Sequence, residues 1–420
     1  MSIEQLIVSI GAILLAVQLF GWIFQSIGQP KVVGEIVAGI VLGPSVLGGL
    51  FPSAVAYIFP ASSLPTLAAL SQLGLLLFMF AVGLEVDLNQ ILKRRLSVVV
   101  ISNVSILLPL ALGAGFAAIA YSDLAGDRIA FAPFALFVGT AMSVTAFPVL
   151  ARILKERNLL STETGIIAIS CAAVDDVSAW LLLAILTAVV HSAGNWSRLG
   201  FTLLWLLGFV TVMLVPVRRA LAFVEARHTK RGHGTFFVSA LLLMLAASWA
   251  TERLGVHPLF GAFVAGLVVP KGGGMAARTR DRIESVTLAF FLPLFFALTG
   301  LRTRIDLLQG GRLWTYVAAI IAIAVAGKVL GATVAARMTG MEWGSSLALG
   351  ALMNTRGLVE LVILNAGMEL GILSPTLFTM MVIMALITTF MTTPLLNLLL
   401  LRAPAHQKAQ SLGYGIDLQL

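Results

Sequence analysis

The sequence predicts an all-α, multi-pass membrane protein with about 13 transmembrane helices and two inverted repeats. Three observations support this fold class: the composition, the distribution of basic residues and an internal repeat. Of the 420 residues, 59% are hydrophobic and only 11% are charged, whereas soluble domains carry about 25% charged residues. So few charges cannot cover a water-exposed surface, which excludes a soluble enzyme, a coiled coil and a disordered scaffold.

Apolar runs separated by proline, glycine and charged residues define the predicted spans. They lie near 5–27, 31–50, 66–86, 96–121, 131–154, 163–190, 199–217, 234–253, 257–270, 284–301, 313–337, 345–368 and 374–401. Lysine and arginine are about three times as frequent in the connections on one side, as expected for cytoplasmic loops. This bias predicts an N-terminus outside and a cytoplasmic C-terminus. We expect the membrane to be a bacterial inner membrane.

Two pairs of similar strings indicate the internal repeat. GEIVAGIVLGP (34–44) resembles GAFVAGLVVP (261–270), and FMFAVGLEVDL (78–88) resembles FFALTGLRTRIDL (295–307). Seven spans separate the members of each pair, so the copies face opposite ways across the membrane. Inverted repeats are typical of secondary transporters, whose substrate site lies near the midplane between the two halves.

The repeats predict the domain organisation. One membrane domain covers 3–402, with repeat one at about 3–190, a linker helix at about 199–217 and repeat two at about 234–402. A short polar cytoplasmic tail at 403–420 follows, part of which could derive from cloning, and no soluble regulatory domain is visible.

The charge balance and the motifs narrow the partners. Cytoplasmic loops account for the net charge of +8, so we expect a lipid bilayer and no nucleic acid as the partner. The glycine-rich turn at 272–274 lacks the residues of a phosphate-binding loop. We therefore expect a protein that is not an enzyme and needs no cofactor.

Charged residues within the spans mark the candidate site, because each costs about 2.5–3.5 kcal/mol at the bilayer centre unless it is paired or hydrated. There are six of them: Glu35, Asp175, Asp176, Lys328, Arg356 and Glu360. Adjacent helical residues point about 100° apart, so Asp175 and Asp176 cannot share one direction. We expect one carboxylate to face a cation path and the other a neighbouring helix.

Lys328 is the predicted charge partner of Asp175. A buried lysine either loses its proton or finds a carboxylate. Gly327 and Gly331 flank Lys328 at the spacing that lets helices approach closely. A purely structural lysine that is paired elsewhere remains the alternative.

Pro148 predicts a helix break near Thr145 in the fifth span. Proline removes a backbone donor, clashes with the carbonyl of Val144 and pushes Phe147 toward extended geometry. Unwound backbone at membrane depth is tolerated only where it lines a cavity or is buried in protein. Its hard oxygen ligands suit an alkali cation, although a lone proline often only kinks a helix.

The twelfth span carries the matching element. Asn354, Thr355 and Gly357 are poor helix formers clustered in its middle. Arg356 can neutralise the carbonyl end of a half-helix, and Glu360 lies one turn further on. We interpret this ion pair as structural, because arginine cannot deprotonate and so cannot carry an exchanged proton. Glu35 is likewise interpreted as a packing or capping carboxylate.

Six strings together resemble a known family: GEIVAGIVLGPSVLG, FAVGLEVDL, SVTAFPVLARIL, AAVDDVSAW, GVHPLFGAFVAGLVVP and NTRGLVELVILN. They are similar to the second branch of monovalent cation:proton antiporters, which holds plant cation/proton exchangers and bacterial potassium efflux systems. The resemblance implies the sodium/proton antiporter-like fold, with two inverted six-helix repeats and crossed discontinuous helices, and a homodimer. It also implies that Asp176 matches the aspartate that carries the cation and the proton. Asp175 matches a position that is Asp in electrogenic members, and Lys328 matches its paired lysine.

The hypothesis that follows is electrogenic exchange of K⁺ or Na⁺ for protons by alternating access. Asp176 binds either the alkali cation or a proton, while the breaks at Thr145 and Asn354 complete the oxygen shell. Two alternatives remain open. One is a ligand-gated potassium efflux channel-like system, and the other is a sodium-coupled organic anion symporter. The large soluble domain of the efflux systems is not visible in this sequence, which puts gating by nucleotide or glutathione in doubt.

Overall fold

The computed structural model describes residues 3–85, 96–125, 129–157, 159–160, 162–192, 195–227, 233–271 and 274–401. Every regular element within these ranges is a helix, as the fold class predicts. The predicted tail at 403–420 lies outside the described residues.

The helices of the N-terminal half are α1 (Ile3–Ser26), α2 (Lys31–Leu42), α3 (Leu47–Leu50), α4 (Pro52–Ile58), α5 (Leu64–Glu85), α6 (Leu96–Leu124), α7 (Phe131–Ser143), α8 (Phe147–Glu156) and α9 (Glu163–Ser192). Those of the C-terminal half are α10 (Trp196–Val212), α11 (Arg218–Arg227), α12 (His233–Arg253), α13 (Pro258–Val268), α14 (Met275–Val286), α15 (Leu292–Arg302), α16 (Gly311–Met338), α17 (Trp343–Met353), α18 (Leu358–Glu369) and α19 (Pro375–Leu401). Single π-helical turns join α10 to α11 and α14 to α15.

Length and composition identify the membrane-crossing elements. Within the described ranges, 11 helical segments are long and apolar enough to cross a membrane, and α7 and α13 are shorter apolar helices. These two coincide with the fifth and ninth predicted spans. The fifth is short because the chain unwinds after Ser143, and the ninth because regular helix covers only Pro258–Val268. The total therefore agrees with about 13 spans.

Large apolar side chains cover the outside of several helices. Leu15 on α1 is 75% exposed and Leu204 on α10 is 66% exposed. Water would make such faces costly, by about 25 cal/mol for each Å² of apolar surface. Lipid hydrocarbon covers them at no such cost, which agrees with a multi-pass membrane protein.

The described residues fall into two compact units. The first is drawn from Met1–Gln18, Glu35–Leu88 and Trp180–Leu301, and the second from Leu19–Gly34, Asn89–Ala179 and Arg302–Leu420. Five of the six predicted mid-span charges belong to the second unit, and Glu35 belongs to the first.

The repeated strings contact each other reciprocally within the first unit. A Cβ placed on Gly39 of α2 would lie 2.2 Å from the Ala297 carbonyl oxygen of α15. The aligned glycine of the other copy, Gly266 of α13, would place its Cβ 2.2 Å from the Phe80 carbonyl oxygen of α5. Backbone therefore lies directly against backbone at both crossings.

The partner glycines show the same exchange. A Cβ on Gly300 would lie 2.3 Å from the Ile36 carbonyl oxygen, and one on Gly83 would lie 2.2 Å from that of Phe263. Each first string therefore packs on the second string of the other copy. Such an exchange of contacts is the pattern of two elements related by a two-fold axis, and it agrees with inverted repeats.

Gly39→Ala is expected to destabilise the first unit by about 1–3 kcal/mol, because its methyl group would overlap backbone that cannot rotate away. Gly115→Ala is the matched control, since a Cβ on this α6 glycine meets nothing within 4 Å. The control should stay neutral or gain about 0.5–1 kcal/mol from helix propensity. Thermal unfolding of both variants in detergent measures the difference. Equal melting temperatures would refute the close approach.

Candidate functional site

The first half of the site is a break between α7 and α8. Helix α7 ends at Ser143, Val144 has extended backbone angles, and α8 begins at Phe147. Pro148 explains why α8 begins here, because proline is favoured in the first turn of a helix. Phe147, which we expected to be extended, is instead the first residue of α8, and the extended residue is Val144. Thr145 lies in the unwound segment and is fully buried. Its place agrees with the break predicted from the sequence.

The second half of the site is a break between α17 and α18. Helix α17 ends at Met353 and α18 begins at Leu358. Asn354 is fully buried between them. Gly357 is required for packing, since a Cβ there would lie 2.8 Å from a methyl carbon of Val149.

Hydrogen bonds join the two breaks directly. The Ala146 backbone N–H donates to the Thr355 carbonyl oxygen at 3.0 Å. The Thr145 hydroxyl donates to the Met353 carbonyl oxygen at 2.9 Å. Helix ends leave backbone groups without intrahelical partners, and here each break supplies partners for the other. The two discontinuous helices therefore meet at their unwound segments.

Arg356 neutralises the end of α7. Its guanidinium donates to the carbonyl oxygens of Ala141 at 3.0 Å and Met142 at 2.6 Å. A cation at the C-terminal end of a helix complements the partial negative charge there. Arg356 Nη1 also lies 3.4 Å from Glu360 Oε1, and both side chains are fully buried. This pair lies where the sequence placed it, and its contacts hold the break together.

Asp175 and Lys328 form a second buried ion pair. The Lys328 ammonium donates to Asp175 Oδ2 at 2.8 Å, and both side chains are fully buried. The Ser105 hydroxyl lies 3.4 Å from the same oxygen and donates to it. A Cβ on Gly327 would lie 3.0 Å from the Pro109 Cα of α6. The small residue therefore lets α16 approach α6 and bring the lysine to its partner.

Asp176 differs from its neighbour because, among the described residues, no basic side chain forms an ion pair with its carboxylate. The side chain accepts from the Phe147 backbone N–H at the start of α8. Its other oxygen, Oδ1, is buried and has no hydrogen-bond partner among the described residues. An ionised carboxylate with an unpaired buried oxygen is costly, and a bound proton or cation would lower that cost.

Asn354 offers a second unpaired oxygen. Its side-chain Nδ2 donates to the Thr388 carbonyl oxygen of α19 at 3.3 Å. Its Oδ1 is buried without a hydrogen-bond partner in the described part of the chain. Amide and carboxylate oxygens are hard ligands that suit alkali and alkaline-earth cations.

Glu35 belongs to the first unit, whereas the other five charges within the predicted spans belong to the second. It lies on α2 and is 6% exposed.

Two hydroxyl groups of the site were missed by sequence reasoning. Ser105 contacts Asp175, and Thr389 of α19 contacts the backbone of Arg356. The threonine doublets at 388–389 and 392–393 interrupt an otherwise apolar run and were the available signal for α19. No such signal marks Ser105 in the sequence, because a serine within an apolar helix usually bonds to the backbone of its own helix.

The fold and the site together define a multi-pass membrane carrier in which two broken helices meet beside buried carboxylates, an arrangement typical of secondary transporters. Residues 12–401 match the family described as "Sodium/hydrogen exchanger, transmembrane". The chain belongs to this family, as its motifs predicted.

Three relatives show how widely the similarity extends. The chain is 42% identical over 396 residues to the Na⁺/H⁺ antiporter NhaS4 of Synechocystis, covering 93% of this chain and 95% of that protein. It is 41% identical over 403 residues to cation/H⁺ antiporter 17 of Arabidopsis thaliana, covering 94% and 48%. It is 36% identical over 395 residues to K⁺/H⁺ antiporter 1 of Saccharomyces cerevisiae, covering 92% and 45%. The chain thus spans nearly all of the cyanobacterial relative and about half of the other two.

A solved structure agrees with the fold. The sodium proton antiporter MjNhaP1 from Methanocaldococcus jannaschii superposes with a TM-score of 0.65 at 17% identity, over 94% of this chain and 96% of that one. At this identity the likeness concerns the fold alone.

Proposed function

We propose that this protein exchanges a monovalent cation, K⁺ or Na⁺, for protons across the membrane by alternating access. Its family membership and the names of its relatives support antiport as the class of transport. The observation that carries the site assignment is Asp176, which is 2% exposed and has one buried oxygen without a hydrogen-bond partner. Neither a cofactor nor an enzymatic reaction is part of this proposal.

Competition at Asp176 couples the two ions. A proton and an alkali cation both neutralise one carboxylate, and a single buried carboxylate cannot hold both at once. Asp176 therefore releases its proton when the cation binds and takes up a proton when the cation leaves. Asn354 Oδ1 and the oxygens around Thr145 complete the cation's shell, because each break exposes oxygen atoms at the crossing.

The Asp175–Lys328 pair supports an electrogenic stoichiometry. Exchange at Asp176 alone moves one proton for each cation and leaves the membrane potential unchanged. If cation binding also releases one proton from the pair, more than one proton crosses for each cation. A membrane-potential dye in proteoliposomes that contain the protein distinguishes one-for-one exchange from exchange of more than one proton for each cation. A dye signal that stays steady during exchange would contradict the electrogenic scheme.

Orientation, assembly and boundaries complete the proposal. The bias of basic residues supports an outside N-terminus and a cytoplasmic C-terminus, and the similarity to a cyanobacterial antiporter supports a bacterial inner membrane. The resemblance to dimeric exchangers supports a homodimer. The reciprocal glycine contacts support the presence of two repeats, which we place at about 3–190 and 234–402, with the linker helix at about 199–217.

Proteoliposomes that contain the full chain and a pH-sensitive dye test the exchange. Pulses of Li⁺, Na⁺, K⁺ and Rb⁺ should each be scored for proton flux, and we expect K⁺ or Na⁺ to drive it. Cation current without proton flux would indicate a channel, and a requirement for an organic anion would indicate a symporter. Either result would overturn the proposed function.

A further inference from the structure

Thr389 of α19 forms two hydrogen bonds with one residue of the second break. The Arg356 backbone N–H donates to the Thr389 hydroxyl at 3.1 Å, and that hydroxyl donates to the Arg356 carbonyl oxygen at 2.9 Å. A hydroxyl has one proton and two lone pairs, so it can fill both roles at once. Thr389 is 2% exposed, so water does not compete freely for these bonds.

Other hydroxyls of α19 are used differently. Thr388 donates to the carbonyl oxygen of Met384 at 2.8 Å, and Thr392 donates to that of Thr388 at 3.1 Å. Both follow the usual habit of threonine in a helix, which is to bond to the backbone one turn earlier. Thr389 instead bonds across to a residue outside its own helix.

The first break has an equivalent contact. There Asp176 of α9 accepts from the backbone N–H of Phe147, where α8 begins. Helices α9 and α19 are the last helices of the two proposed repeats. The same place is thus occupied by a carboxylate in one repeat and by a hydroxyl in the other. A carboxylate can ionise and a threonine hydroxyl cannot, so Asp176 is able to carry a proton or a cation, whereas Thr389 can only hold the backbone.

We infer that Thr389 is a positioning residue that fixes the unwound backbone at Arg356 for transport. This inference rests on the proposed function. Holding Arg356 aims its guanidinium at the carbonyl oxygens of Ala141 and Met142. It also holds the neighbouring Thr355 carbonyl oxygen on the Ala146 N–H. Thr389 therefore sets the register of the crossing without contacting the transported ion.

The test compares Thr389→Val with Thr187→Val in the full chain. Valine keeps the shape of threonine and removes the hydroxyl, leaving the Arg356 N–H and carbonyl unpaired. We expect Thr389→Val to raise the KM for the cation about tenfold, equal to about 1.4 kcal/mol, while kcat changes far less. Thr389→Ser should restore the wild-type KM. Thr187→Val removes a buried hydroxyl of α9 that bonds only to carbonyl oxygens of its own helix, and the KM should not change.

Hydrogen exchange provides a readout that does not depend on transport. Peptides that contain residues 354–358 should exchange faster in Thr389→Val than in the wild type and in Thr187→Val. If wild-type vesicles show no proton flux, the proposed function fails, and the exchange data still decide the positioning role. If Thr389→Val does not elute as a monodisperse protein, Thr389→Ala takes its place. Unchanged KM and unchanged protection, or equal effects of both valine variants, would overturn the inference.

Discussion

Asp176→Asn is expected to abolish exchange, reducing proton flux driven by K⁺ or Na⁺ to that of protein-free liposomes. The amide keeps the size of the side chain and can still accept from the Phe147 N–H. It cannot ionise, and therefore neither binds a proton nor balances the charge of a cation. A pH-sensitive dye in proteoliposomes measures the loss.

The same variant should lose stabilisation by its cation. A ligand that binds only the folded state raises stability by RT ln(1 + [L]/Kd), so K⁺ or Na⁺ should raise the melting temperature of the wild type and leave that of Asp176→Asn unchanged. Asp123→Asn is the control, because Asp123 pairs with Arg312 at the ends of α6 and α16 at 2.5 Å, away from the breaks. If Asp176→Asn still exchanges cations for protons, Asp176 is not the residue that carries the transported ions.

Lys328→Met is expected to cause the largest loss of stability among single changes at the site. It leaves Asp175 fully buried without its cation. Removing one partner of a buried ion pair costs about 3–5 kcal/mol, because the remaining charge stays desolvated. Unfolding of the detergent-solubilised protein with increasing denaturant measures the change.

The double variant Lys328→Met with Asp175→Asn identifies the cause. Asparagine carries no charge and can still bond to Ser105, so the second change should recover most of the stability lost in the first. A double-mutant cycle isolates this coupling from the loss of side-chain packing. If the losses of the two single variants simply add, the pair does not interact energetically, and the close contact has no bearing on stability.

Local chemistry explains which parts of the site could be predicted from the sequence. Pro148 and the cluster of poor helix formers at 354–357 act on their own backbone, so both breaks could be located before any contact was known. The Asp175–Lys328 pair could be inferred because a charge within the membrane needs a partner, and few partners exist in a chain that is 11% charged.

The contacts of Thr389 and Ser105 could not be predicted, because they depend on how each helix is rotated. Membrane-spanning helices are apolar on all sides, so their periodicity does not show which face meets a neighbour. Hydroxyls add little information, since each can bond to its own helix. The bond from the Phe147 N–H to Asp176 is hidden for the same reason: it requires the start of one helix to meet the middle of another.

The exchanged glycine contacts of the first unit bear on how the protein is made. Gly39 packs against the backbone of Ala297, and Gly83 packs against that of Phe263. The partners of α2 and α5 are therefore synthesised much later than α2 and α5 themselves. Contacts this distant in sequence form slowly. During synthesis α2 and α5 must therefore remain in the bilayer with their glycine faces covered only by lipid or by a chaperone. The unit closes when α13 and α15 have both been inserted.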